Sequence, residues 1–159
     1  MLGRCTTALL LGCAFLVGAE KYTGPVPPKP DIPYLLHATN LIETEVGTAT
    51  EEKRKDTVVA VINGPSSPVK TPVPEPIFIL KVEKLVPEKL GLYRLETRNG
   101  NREVVINHTK AKNLPKPLYL SVTKLGDRLY RIESDQILEP GEYTLSPDGS
   151  NQTFSFQVY

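Results

Sequence analysis

Short runs in which apolar and polar residues alternate, broken at close intervals by Gly, Pro or Asn, set the pattern of this chain. Leu118, Leu120 and Val122 alternate with Tyr119, Ser121 and Thr123, and Phe154, Phe156 and Val158 alternate with Ser155 and Gln157. A period of two sends successive side chains to opposite faces of an extended chain, so each run predicts a strand. Further strands are expected over Tyr34–Ile42, Thr57–Ile62, Ile77–Lys81, Arg128–Glu133, Gly141–Leu145 and Thr153–Tyr159. Leu92–Arg98 and Asn101–Asn107 flank Asn99-Gly100, a pair that tolerates positive φ and suits the tight type I′ turn. That loop sets Thr97 opposite Arg102 and Leu95 opposite Val104. The mixed-charge run Glu51–Asp56 reads as a solvated loop or strand end, and Pro65–Pro76 as a crossing without regular structure. Leu85–Leu90, around Pro87, reads as a helical turn or a loop. No sustained 3.6-residue pattern is present. Seven or eight short strands with Gly/Pro turns predict an all-β fold, an antiparallel sandwich or barrel.

The segment Leu138-Glu139-Pro140-Gly141-Glu142-Tyr143-Thr144-Leu145 narrows the choice. It resembles the corner before the penultimate strand of immunoglobulin-like and fibronectin-like sandwiches, where a Leu, a Gly and a Tyr recur. The resemblance implies an immunoglobulin-like sandwich in which Tyr143 fills the corner and its hydroxyl bonds nearby backbone, with Gly141 and Leu138 supporting it. With its EEKRKD cluster and FSFQVY end, the chain is also similar to small exported bacterial proteins. That likeness implies a location and a β fold, and no activity. An outer-membrane barrel ending in Tyr159 is set aside, because Thr153, Ser155 and Gln157 stand where lipid-facing residues belong and the strands are short of ~9–11 residues.

The N-terminus changes which residues enter the fold. Arg4 supplies a charged start, Ala8–Val17 is an apolar stretch too short to span a bilayer, and Val17-Gly18-Ala19 offers small residues for cleavage. Residues 1–19 are therefore read as a cleaved secretory leader. The alternative is a lipid anchor at Cys13, since Leu10-Leu11-Gly12-Cys13 resembles a lipobox, although the residues after it stay apolar. Residues 20–33 follow as a Pro-rich extended arm, with PxxP spacing at Pro25/Pro28, Pro27/Pro30 and Pro30/Pro33. A stiff spacer is the favoured reading of that arm. The β-domain is assigned to 34–159.

Charge and chemistry then exclude more than they select. The chain carries 19 basic and 18 acidic residues. Loss of Arg4 with the leader balances the two, so the basic excess that nucleic acid or an anionic membrane would need is missing. Both cysteines, Cys5 and Cys13, fall in the leader, so thiol chemistry and disulfides leave the mature domain with them. The two histidines, His37 and His108, lie far apart in sequence, and no HExxH, GxSxG, GxGxxG or P-loop pattern occurs. Carboxylate pairs such as Glu43/Glu45 and Glu51/Glu52 are ordinary for surface loops. Asn107-His108-Thr109 and Asn151-Gln152-Thr153 match the N-glycosylation acceptor pattern.

These readings lead to a non-enzymatic, exported β-sandwich acting as an interaction or structural module, secreted, periplasmic or at the cell surface. No catalytic residue, metal ligand or cofactor is assigned, and no transmembrane segment is expected after cleavage of the leader. Protein or polysaccharide is the expected partner, met by the loops around Asn63–Pro76 and Asn99-Gly100. The alternatives are a small glycan-acting hydrolase that uses loop carboxylates and an inhibitor-like binder that inserts loops into a protease cleft.

Overall fold

The computed structural model describes residues 21–108 and 115–159. The segment read as a leader, with Cys13, and the Thr109 end of the first glycosylation pattern therefore lie outside the described residues. The described chain is all-β apart from one 3-10 turn, Pro87–Lys89, where the sequence predicts a helical turn. Thirteen strands are present among the described residues, more than the seven or eight expected.

One of the extra strands comes from Tyr34–Ile42, which is not one strand. It folds back at Ala38-Thr39, with Ala38 at φ +55°, into β1 (Pro33–His37) and β2 (Asn40–Glu43). Glu45–Arg54, expected in part as a loop, forms β3 (Glu45–Thr48) and β4 (Thr50–Arg54). Its charges are tolerated because β4 is exposed along most of its length and Arg54 binds Glu52 and Glu103. The sequence reading of Pro65–Pro76 misses β6 (Lys70–Thr71), which pairs in parallel with the last strand. The remaining strands are β5 (Thr57–Ile62), β7 (Ile77–Lys81), β8 (Leu90–Arg98), β9 (Asn101–His108), β10 (Leu120–Gly126), β11 (Leu129–Ser134), β12 (Gly141–Pro147) and β13 (Gln152–Val158). All pairings but that of β6 are antiparallel.

One sheet runs β10-β11-β7-β1-β2. It packs on β12, β13 and the start of β8 through a shared core of Leu35, Phe78, Leu80, Ile132, Tyr143, Leu145, Phe154 and Phe156. Phe78 and Phe156 meet with ring centroids 5.0 Å apart, a tilted aromatic contact. These are the inward positions that the period-two pattern selects, and they give the molecule its sandwich-like layer.

The second sheet has the order β3-β13-β12-β8-β9-β5-β4. Its two end strands, β3 and β4, are consecutive in the chain with only Ala49 between them. The sheet therefore curls on itself into a small barrel whose end strands β3 and β4 are each paired on one side, with β13 and β5. Two corners make the curl: the β3–β4 run bends at Ala49, and β8 pairs with β12 over Leu90–Leu95 but with β9 only over Glu96–Arg98. Leu95 consequently pairs with Glu142 rather than with Val104, while Thr97 faces Arg102 as the Asn99-Gly100 turn dictates. Strands that pass from one layer to the next at bends are the usual way to turn such corners. β12 and β13 are shared: one face joins the main core, the other looks into the barrel, and both are buried.

Candidate functional site

The barrel interior is the candidate site, and its two ends differ. On β9 the inward positions are Arg102, Val104 and Ile106; on β12 they are Glu142, Thr144 and Ser146; on β13 they are Thr153 and Ser155. At the end near the Asn99-Gly100 turn, Arg102 is fully buried. Its guanidinium grips Glu45 with two bonds of 2.6 and 2.9 Å and donates to the carbonyls of Asn63 (2.8 Å) and Gly64 (3.0 Å). Glu142, also buried, lies 3.9 Å from the same guanidinium and accepts from Ser66 Oγ and the Ser67 amide. Ser67 Oγ reaches the Ser155 carbonyl, and Ser155 Oγ donates to Thr144 Oγ1. A buried cation needs this many partners to offset its desolvation. For Glu45, burial works against the charged form, but the bonds from Arg102 and Ser67 and the Arg102 charge outweigh it and hold the carboxyl below its usual range. The loop from Asn63 to Ser67, expected to be a binding loop, is thus spent on plugging one end.

Above the plug the barrel narrows to a small apolar belt of Ala49, Ala60, Ile62, Leu95 and Val104. The other end opens as a cup of about 270 Å³, whose mouth is formed by Glu51, Tyr93, Ile106, Ser146 and the β12–β13 turn from Pro147 to Asn151. The Tyr93 ring folds back over Gly91, where a Cβ would stand 2.8 Å from the ring, so glycine is what lets the ring lie there. Burial first, and then the charge of Asp148, push the Tyr93 phenol up from its ordinary pKa. Thr153 lines the cup, and its buried Oγ1 has no hydrogen-bond partner.

Other sequence-selected residues have structural surroundings. The Tyr143 hydroxyl donates to the Glu139 carbonyl at 2.8 Å, and its ring stacks on Phe156. Leu138 is buried and Gly141 sits at φ +159°, beside the Arg94 side chain. Asn99 and Gly100 both have positive φ, at +52° and +76°. Asn107 and Asn151 are exposed, as is His37. The carboxylate pairs do not act together: Glu43 binds Lys29 and Tyr34 in the five-stranded sheet while Glu45 binds Arg102, and Glu51 faces the cup while Glu52 binds Arg54. Among the described residues no three His, Cys, Asp or Glu gather as metal ligands. In the arm, Pro27 is buried and Asp31 accepts the amides of Glu83, Lys84 and Leu85, which fastens the arm to the five-stranded sheet.

Sequence reasoning missed the cup entirely. Thr144, Ser146, Thr153 and Ser155 alternate with large apolar residues and so read as a solvent face. The usable signal is weaker: Gly47, Ala49 and Ala60 are small residues at inward positions of strands. No protein-family model, curated protein or solved structure matches the chain.

Proposed function

We propose that this protein is an exported, non-enzymatic interaction module of the cell envelope or the extracellular space, and that it takes a protein partner along the free edge of the five-stranded sheet. The leader-like N-terminus supports export. The observation that carries the reading is the edge strand β10, whose only sheet neighbour is β11. β10 and the four-residue β2 are the outer strands of the five-stranded sheet, so its free backbone groups concentrate there. Beside β10, Leu118 touches β8 through a single bridge to Leu92, leaving an open groove of about 440 Å³ lined by Leu90, Gly91, Leu118, Leu120 and Val122. Tyr119, 81% exposed, stands at its rim. A free edge beside an apolar groove suits an added strand, in which main-chain bonds give affinity and the groove gives selectivity. The irregularity between Lys124 and Gly126 confines regular pairing to the first part of β10. No helix among the described residues is long and apolar enough to cross a membrane.

A photo-crosslinking residue placed at Tyr119 or Ser121 in the native host tests the reading. The expected result is a discrete adduct from these positions, none from Lys53 on the barrel, and loss of the Ser121 adduct when Tyr119→Ser is added. Adducts as frequent at Lys53 as on β10, or none at either β10 position, would overturn it.

A further inference from the structure

The cup is hollow because of the residues chosen for it. Inward positions of a small barrel are normally filled by their own side chains. Here Ala49, Ala60, Thr144 and Thr153 stand at those positions, and a space of about 270 Å³ remains. An apolar cavity of ~150 Å³ accommodates benzene, and ligand pockets generally start at ~300 Å³, so the space fits one ring or a branched chain with a short tail.

Charge selects the tail. The cup wall holds two carboxylates, Glu51 and Asp148, and no Lys, Arg or His. Neither makes a hydrogen bond or ion pair with any described residue, whereas Glu43, Glu45, Glu52, Glu103, Glu139 and Glu142 all do. Tyr93 adds an aromatic surface beside Asp148, and such surfaces attract cations. We infer that the cup binds a small organic ammonium ion, its compact apolar body seated among Ala49, Ala60, Leu95 and Val104 and its charge held at the mouth by Glu51, Asp148 and Tyr93. The site lies on the barrel, away from the β10 edge, and stands independently of the partner proposed there.

Three probes of one size and different charge test this on the 15N-labelled protein by NMR titration: 2-phenylethylammonium, 2-phenylethanol and phenylacetate. The ammonium is expected to give saturable shifts centred on Ala49, Ala60, Tyr93 and Thr153, the alcohol to bind at least fivefold more weakly, and phenylacetate to give none. Glu51→Gln combined with Asp148→Asn is expected to bring the ammonium down to the level of the alcohol. Ala60→Leu fills the cup and is expected to abolish the shifts from both probes. Should Ala60→Leu fail to fold, the exposed double variant decides alone. Absence of saturable shifts in the cup with the ammonium, equal binding of all three probes, or unchanged ammonium affinity in the double variant would overturn the inference.

Discussion

At the scale of single residues, Arg102 is the side chain on which the barrel end depends. It was legible only as a polar residue beside a hairpin, although the period of two placed it on the same face as Val104 and Ile106. What the sequence hides is its partners, which come from β3, the Asn63–Ser67 loop and β12, all distant in the chain. Arg102→Met would leave Glu45 and Glu142 without a cation and is expected to cost ~3–5 kcal/mol, read as a lower urea midpoint. Acid has a related effect. A carboxyl whose pKa is lower in the folded state stabilises the fold above its unfolded value, ~4.3 for Glu, and that contribution is lost as pH falls through the folded value. Glu45, Glu43 and Asp31 all have lowered values, so stability is expected to fall below about pH 4. Arg102→Met is expected to flatten the Glu45 share of that loss. Tyr34 works in the opposite sense: burial first, then its bond to Glu43 and the charge there, push its phenol up to about 12. Its contribution is complete below ~10 and disappears as pH rises toward that value, so Tyr34→Phe is expected to remove part of an alkaline loss of stability. For Tyr143→Phe the ring and its stacking on Phe156 remain and only the bond to the Glu139 carbonyl is lost. A cost of ~0.5–1.5 kcal/mol is expected, seen as a small drop in melting temperature.

At the scale of elements, what could be read was what is local. The Asn99-Gly100 hairpin follows from two residues that accept positive φ, and its register follows from the loop length. Gly100→Val forces a β-branched residue to φ +76° and is expected to cost ~1–2 kcal/mol; Asn99→Gly, which eases the same turn, is expected to change stability far less. Both are measured by denaturant unfolding. The break inside Tyr34–Ile42 carries no Gly or Pro, since it turns on Ala38, and was therefore invisible to a reading that seeks turn residues. The charged strand β4 was hidden for another reason. Its Glu and Lys residues are poor strand formers on average, yet one face lies in solvent and the backbone is held by β5 over five residue pairs. Pairing with the neighbouring strand outweighs local preference there, whereas the barrel joins strands distant in the chain and so could not be foreseen from any one segment.

At the scale of the whole molecule, the shared strands decide how the fold comes apart. β12 and β13 donate Tyr143, Leu145, Phe154 and Phe156 to the main core while their other faces, Glu142, Thr144, Thr153 and Ser155, complete the barrel. A sandwich with an independent appendage would have one sheet buried on a single face and could lose the appendage alone. Here neither layer keeps its inner wall without the other, so the two are expected to unfold as one cooperative unit. Ile62→Ala tests this from the barrel side, because Ile62 belongs to the small belt and touches none of the main core residues' sheet pairings. Truncation of that buried side chain is expected to cost ~2–5 kcal/mol. If the layers are coupled, the most protected amides of β7, in the opposite sheet, lose hydrogen-exchange protection by the same free energy as those of β9 and β13. Protection on β7 that stays at its original level while β5 and β9 exchange faster would mean that the barrel opens by itself. The edge strand β10, bonded on one side only, is expected to exchange fastest of the longer strands in either case, since its opening needs neither core to separate.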